Sequence, residues 1–192
     1  LSHAKAALIG CKSLLCDWSN QEDEKIWLNT LGIEDESINP FSFLYLEDNP
    51  RKQLQISTKF YKGGYEREAK HIKKSNKNKI HIGYFSSDFR EHPTMYLIAS
   101  ILKLHNKSKF NIYLYSFTPK EDRYTEIAKN SGCFFRNIKN LNNIETVELA
   151  RKDNLDIAID LMGYIEHNRM AIFSYRVAPI QINYLGYPGS LG

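Results

Sequence analysis

The chain has 192 residues, of which 42% are hydrophobic and 25% are charged, and its formal net charge at pH 7 is +4. This composition excludes a disordered chain and is typical of one sizeable globular domain with an appendage. The positive charge is concentrated between residues 62 and 79, where we predict a solvated helix end and linker. A phosphate-binding or nucleic-acid-binding patch is the less favoured alternative, because the segment carries no RNA-binding signature, and we expect no nucleic-acid partner.

The cysteines and the first apolar segment limit the cellular context. Cys11, Cys16 and Cys133 form neither a CxxC pair nor a Cys/His ligand pattern, which argues against a disulfide framework and a structural zinc site. We therefore expect a cytoplasmic protein. The segment 3–16 is interrupted by lysines and is too short to span a bilayer, so we expect no membrane association. The chain begins with Leu1 rather than Met, and we expect further sequence upstream.

Hydrophobic periodicity divides the chain near residue 79. Helical spacing over 3–16, about 21–31 and about 50–74 predicts a helical neck and linker over residues 1–78. From Lys79 onward, short β-branched and aromatic runs alternate with helical segments. The predicted strands are IHIGYF (80–85), FNIYLYSF (110–117), CFFRNI (133–138), LDIAIDLM (155–162) and IQINYL (180–185), and the predicted helices lie near 93–105, 121–130, 143–153 and 168–175.

Strands that alternate with helices of this length require crossover connections, which are almost always right-handed and produce a parallel sheet. We therefore predict an α/β fold over residues 79–192, with a Rossmann-like, mainly parallel sheet. In such open sheets, ligands bind where the carboxyl ends of the strands meet the following loops.

The first such loop contains Asp88 and His92, four residues apart, between the strand 80–85 and a helix that Pro93 can begin. Taken alone, Asp88 is predicted to cap that helix, because its carboxylate would face unpaired amides and the positive end of the helix dipole. A catalytic role is the alternative. A metal site is disfavoured, because no further His, Asp or Glu cluster has ligand spacing.

Two later loops complete the candidate site. In DLMGYIEHNR, Gly163 permits a sharp exit from the strand, and Arg169 lies near a predicted helix start, where a cation is unfavourable without a partner. A surface salt bridge is an equally favoured explanation of Arg169, and His167 is interpreted as an exposed loop residue. The last stretch, YLGYPGSLG, contains three glycines and Pro188 and would allow a ligand to approach the backbone, although a glycine-rich turn is a weak signal.

Together the motifs CDWSN (16–20), IGYFSSDFREHPT (82–94), DIAIDLMGY (156–164) and RVAPIQINYLGYPGS (176–190) resemble glycosyltransferase family 41, the protein O-GlcNAc transferases and their bacterial relatives. The resemblance covers nearly the whole chain. It implies a GT-B enzyme that transfers N-acetylglucosamine from a uridine diphosphate donor to serine or threonine of an acceptor protein or peptide. We expect no cofactor, because the UDP-sugar is a donor substrate, and no metal.

The resemblance also implies roles for individual residues. Asp88 matches a proposed proton acceptor, and His92 matches the active-site histidine of the HPT motif. The remaining substrate-binding residues implied by the matched motifs are Pro93, Thr94, Gly163, Tyr164, Arg169, Gly186, Tyr187 and Pro188. The family implies helical tetratricopeptide repeats before this region and a carboxy-terminal nucleotide-sugar lobe after it. Both are absent from these residues, and we expect the chain alone to be inactive.

Several positions depart from the animal members of the family. Phe41 and Ser42 replace histidines of the neck loop, Tyr96 replaces a second histidine after HPT, and Ile165 replaces a threonine after GY. These changes resemble the bacterial branch and leave the sugar open. A UDP-glucose donor, an asparagine acceptor, or a non-catalytic Rossmann-like scaffold for protein binding are the alternatives.

Overall fold

The structure is a computed structural model that describes residues 2–19, 21–34, 36–68, 72 and 77–192. The chain divides into two compact units, Leu1–Glu66 with Gly189–Gly192, and Arg67–Pro188. The division predicted from sequence lay at residues 78 and 79. Within the described residues, no helix has the length and apolar character needed to cross a membrane.

The first unit is helical, and its buried core contains Leu31, Ile38, Phe43 and Ile56. Its elements are α1 (Ser2–Leu14), α2 (Gln21–Leu28), a 3-10 turn (Pro40–Phe43) and α3 (Pro50–Gly64).

Helix α3 is shorter than the helix predicted over 50–74. Asn49 caps its start by accepting backbone N–H bonds, and Pro50 occupies the first turn. The helix ends at Gly64, because the Gly63–Gly64 pair has low helix propensity. Residues 65–68 are not helical, and most of the remaining predicted segment, 69–71 and 73–74, lies outside the described residues.

The second unit alternates strands and helices, as predicted. Its elements are β1 (Ile80–Ser86), α4 (Pro93–Leu104), β2 (Phe110–Ser116), α5 (Arg123–Lys129), β3 (Phe134–Asn137), α6 (Asn143–Lys152), β4 (Ile157–Asp160), α7 (Ala171–Ser174) and β5 (Ile180–Asn183). Helix α7 is a single turn rather than the helix predicted over 168–175, because Asn168 binds the loop backbone before it and Arg176 adopts a left-handed φ of 60° after it.

All five strands are parallel, in the order β3-β2-β1-β4-β5. The Rossmann-like α/β prediction is therefore confirmed. On one face of the sheet, Ile82, Tyr84, Ile112 and Leu114 form a core with Met95, Ile98 and Leu102 of α4. The spacing of these three helical residues places them on one side of α4.

Candidate active site at the carboxyl edge of the sheet

The strand order places a switch point between β1 and β4. From β1 the chain proceeds outward to β2 and β3, and then returns to the other side of β1 to form β4 and β5. In open α/β sheets, ligands bind at such a switch point, outside the carboxyl ends of the strands. Asp88 and Gly163 lie in the loops that follow β1 and β4.

Asp88 is buried, with 4% of its side chain exposed. Its Oδ1 accepts a hydrogen bond from Ser87 Oγ at 3.0 Å and lies 3.4 Å from Nη2 of Arg90. Its Oδ2 lies 3.5 Å from Nδ1 of His92. The carboxylate is therefore held by side chains of its own loop.

The helix cap predicted for Asp88 is instead His92. The Thr94 N–H donates to His92 Nδ1 at 3.2 Å, and the extended backbone of His92 precedes Pro93 in the first position of α4. Capping by an imidazole ring satisfies one of the orphan amides of the helix. The expectation that Asp88 caps α4 is therefore wrong, and its carboxylate is left to contact Arg90 and His92.

The bond from Thr94 also determines what His92 can offer to a ligand. Because Nδ1 accepts this N–H, the neutral ring carries its proton on Nε2. If Nδ1 carried a proton, it could donate to Asp88 but could no longer accept the Thr94 N–H, so the helix cap would be lost. The side chain of His92 is 31% exposed, against 4% for Asp88, so His92 is the more accessible member of the pair.

The loops after β1 and β4 are joined through Met162. Ser86 Oγ donates to Met162 Sδ at 3.5 Å. Ser87 Oγ, whose hydrogen goes to Asp88, also lies 3.5 Å from this sulfur. The backbone N–H of Asp88 donates to Ser86 Oγ at 2.9 Å. These bonds fix the start of the Asp88 loop against the end of β4.

Asp160, the last residue of β4, is a buried carboxylate that the sequence analysis missed. Its oxygens accept the N–H groups of Met162 at 3.0 Å and Gly163 at 2.9 Å. Burial raises the pKa of Asp160 to about 6, although the two N–H bonds act in the opposite direction. The only signal in the sequence was an acidic residue inside the apolar run LDIAIDLM, which does not separate a loop anchor from a site residue.

The glycine and tyrosine pairs of the two later loops interlock. Gly163 and Gly186 have left-handed φ values of 59° and 56°. A Cβ added to Gly163 would lie 2.7 Å from Cγ of Tyr187, and one added to Gly186 would clash with the Leu161 carbonyl oxygen. The rings of Tyr164 and Tyr187 pack edge to face at 5.5 Å, and both are buried. These residues fix the conformation of the two loops by contacting one another.

Arg169 contacts neutral groups rather than the anion that its position suggested. Its guanidinium donates to the carbonyls of Ile138 at 3.1 Å and Leu141 at 2.9 Å and to Asn143 Oδ1. It also lies over the ring of Phe117, and burial lowers its pKa. The side chain therefore joins the loop before α6 to the loop before α7. Its assignment to the substrate stays a prediction.

The remaining predicted site residues differ in accessibility. Thr94 is buried, whereas Pro93 and Pro188 are exposed at the start of α4 and after β5. His167 is exposed, as expected, and lies beside Glu166. The structure thus places the Asp88–His92 pair and the interlocked loops along one edge of the sheet. Among the predicted site residues, Pro93, Gly186 and Pro188 are exposed, His92 and Arg169 are half-buried, and the others are buried.

Comparison with known proteins identifies the family. Residues 54–192 match the family model described as Glycosyl transferase family 41. The UDP-N-acetylglucosamine--peptide N-acetylglucosaminyltransferase of Caenorhabditis elegans is 26% identical over 200 residues, which cover 93% of this chain and 17% of that protein. A probable enzyme of the same name from Arabidopsis thaliana, SEC, is 29% identical over 115 residues, 59% of this chain and 12% of that protein.

Among solved structures, a mutant O-GlcNAc transferase of Thermobaculum terrenum matches with a TM-score of 0.68 and 25% identity. The match covers 77% of this chain and 29% of that chain, so these residues span less than a third of each relative described. The family model covers well over half of the 192 residues, and the chain therefore belongs to glycosyl transferase family 41.

Proposed function

We propose that these residues form the acid–base half of an inverting glycosyltransferase that moves N-acetylglucosamine from UDP-GlcNAc to serine or threonine of proteins. The observation that carries the proposal is the contact of Asp88 Oδ2 with His92 Nδ1 at the carboxyl end of β1, beside the switch point of the sheet. Membership of family 41 and the names of the relatives from Caenorhabditis elegans and Arabidopsis thaliana support the choice of donor and acceptor.

We assign different roles to the two side chains. In the neutral ring, His92 carries a proton on Nε2 and can donate a hydrogen bond to an oxygen of the sugar or of the attacking hydroxyl. Asp88 is the proposed proton acceptor, directly or through a water molecule. Carboxylates are weak bases at neutral pH, so much of the effect must come from holding the hydroxyl close to the attacked carbon.

The rest of the proposed enzyme lies outside these residues. We propose a second, carboxy-terminal lobe that binds most of the nucleotide, preceding helical repeats that hold the acceptor protein, a bacterial-type family branch and a cytoplasmic location. The proposed reaction uses neither a metal ion nor a cofactor. Lacking the second lobe, the 192-residue chain alone is expected to transfer no sugar.

The test is a transfer assay on the longer protein that contains this chain. Purified protein is incubated with UDP-GlcNAc or UDP-glucose and with peptides that carry serine, threonine or asparagine, and mass spectrometry identifies the product. Addition of N-acetylglucosamine to a hydroxyl supports the proposal. Addition of glucose, or addition to asparagine, replaces the substrate assignment, and the absence of any transfer favours the scaffold alternative. The isolated 192-residue chain is the control, and robust transfer by it would contradict the need for a second lobe.

A further inference from the structure

The side chain of Arg90 lies two residues after Asp88 in the loop between β1 and α4. Its Nη2 is 3.4 Å from Asp88 Oδ1, with 36% of the arginine side chain and 4% of the aspartate side chain exposed. The motif resemblance assigned no role to this position. Because the carboxylate is buried, its charge requires a nearby compensating group more than an exposed carboxylate would.

The two oxygens of Asp88 have different partners. Oδ1 receives the hydroxyl of Ser87 at 3.0 Å and faces Arg90, while Oδ2 faces His92 at 3.5 Å. A carboxylate rotates about its side-chain bonds, so contacts that hold one oxygen also determine where the other points. Ser87 supplies a neutral contact and Arg90 a charged one, and charged contacts of this kind are the stronger.

Arg90 also acts on a second carboxylate. Asp122, the cap of α5, accepts the N–H of Glu91 through its Oδ2. Burial raises the pKa of Asp122, but backbone N–H donors and the positive charge of Arg90 lower it more. The positive charge of Arg90 therefore acts on carboxylates of two loops, those after β1 and β2.

We propose that Arg90 is a positioning residue, which holds the carboxyl group of Asp88 in the χ1 rotamer that places Oδ2 beside His92. Only the catalytic consequence of this positioning rests on the proposed function, because the contacts of Asp88 are present without a substrate. A purely structural surface ion pair would contribute little and would leave the rotamer of Asp88 unchanged.

The experiment measures the side-chain rotamer of Asp88 by NMR in the isotopically labelled 192-residue chain. Three-bond couplings from the Asp88 carboxyl carbon to its backbone nitrogen and carbonyl carbon give the χ1 populations. The variants are Arg90→Gln and Arg90→Lys. The matched control is Arg123→Gln, which removes the same charge from the neighbouring helix start, where Arg123 pairs with Glu91.

Arg90→Gln is expected to replace one dominant χ1 rotamer of Asp88 with a mixture. Arg90→Lys should keep more of the dominant rotamer, because it retains the charge but lacks the fork. Arg123→Gln should match the unmodified chain. The proposal is overturned if Arg90→Gln leaves the couplings unchanged, or if Arg123→Gln alters them equally. Should Arg90→Gln fail to fold, Arg90→Met takes its place, with the same expected mixture of rotamers and with Arg123→Met as its control. Because no sugar transfer is measured, a failure here is distinct from a failure of the proposed reaction.

Discussion

Two parts of the carboxyl edge differ in how their polar groups are used. In the loop after β1, the side chain of Asp88 contacts those of Arg90 and His92, and His92 remains partly accessible. In the loops after β4 and β5, glycines and buried tyrosines contact each other's backbone and rings. The first part has groups that can move or donate a proton, whereas the second fixes the conformation of its own loops. Motifs that resemble the same family can therefore differ in their physical role, one supplying reactive side chains and the other fixing loop conformation.

The largest expected effect tests the loops after β4 and β5. Gly186→Ala should lower the free energy of unfolding by about 3 kcal/mol or more, because the new methyl group would clash with the Leu161 carbonyl at a left-handed φ. Chemical denaturation measures the loss.

Gly63→Ala is the matched control. Its added Cβ would have nothing within 4 Å, and it lies in α3, so it should be neutral or stabilising by up to about 1 kcal/mol. Equal stabilities of the two variants would contradict the interlock.

The buried charge of the same part predicts a pH dependence. The pKa of Asp160 is about 6 in the folded chain against an ordinary value of 3.8. Between these values the folded state binds a proton that the unfolded state has released, so the contribution of Asp160 to stability is full below about 3.8 and is lost as pH rises through 6. The loss is about 3 kcal/mol.

The contribution of Asp160 is isolated by comparing the unmodified chain with Asp160→Asn. Chemical denaturation of both is measured at several pH values between about 3.5 and 7.5, roughly the range that the two pKa values span. As pH rises, the free energy of unfolding of the unmodified chain should fall relative to that of Asp160→Asn. A difference that is constant with pH would show that Asp160 does not titrate in this window.

The loop after β1 should respond in activity rather than in stability. In the longer protein, Asp88→Asn should lower kcat/KM about 100-fold or more, because general acid–base steps contribute roughly 10²–10⁴. His92→Ala should lower it similarly, and should also cost about 1 kcal/mol of stability because it removes the cap of α4.

Transfer rates and chemical denaturation are measured on the same preparations. Asp122→Asn is the control and should leave both transfer and stability nearly unchanged, because Asp122 is a helix cap and asparagine caps nearly as well. Unaltered transfer by Asp88→Asn would falsify the catalytic assignment.

The smallest effect separates the two explanations of Arg169. Arg169→Lys should lower the free energy of unfolding by about 2 kcal/mol, because a lysine cannot reach the same set of carbonyl and amide acceptors. If Arg169 only joins the two loops, the KM for the UDP-sugar in the longer protein should stay within about twofold once the variant is folded. A selective rise in KM without loss of stability would instead indicate contact with the substrate.

Much of the fold could be predicted because its signals are local. The apolar runs of β1, β2 and β4 and the helical spacing of α4 are visible along the chain, and right-handed crossovers leave little choice of sheet type. Element ends were less predictable. Helix α3 ends at Gly64 because two glycines are adjacent there, and α7 is a single turn because of contacts in the loops around it; hydrophobic periodicity reveals neither.

The sequence by itself determined the parallel α/β class, the family and the placement of Asp88 and His92 in one loop before a helix, because periodicity and motifs are properties of neighbouring residues. Only the tertiary structure decided that His92 rather than Asp88 caps α4, that Arg169 binds carbonyls, and that Gly163 packs on Tyr187. These outcomes depend on groups brought together from separate loops, and their competition for the same donors and acceptors is settled only when the sheet has assembled.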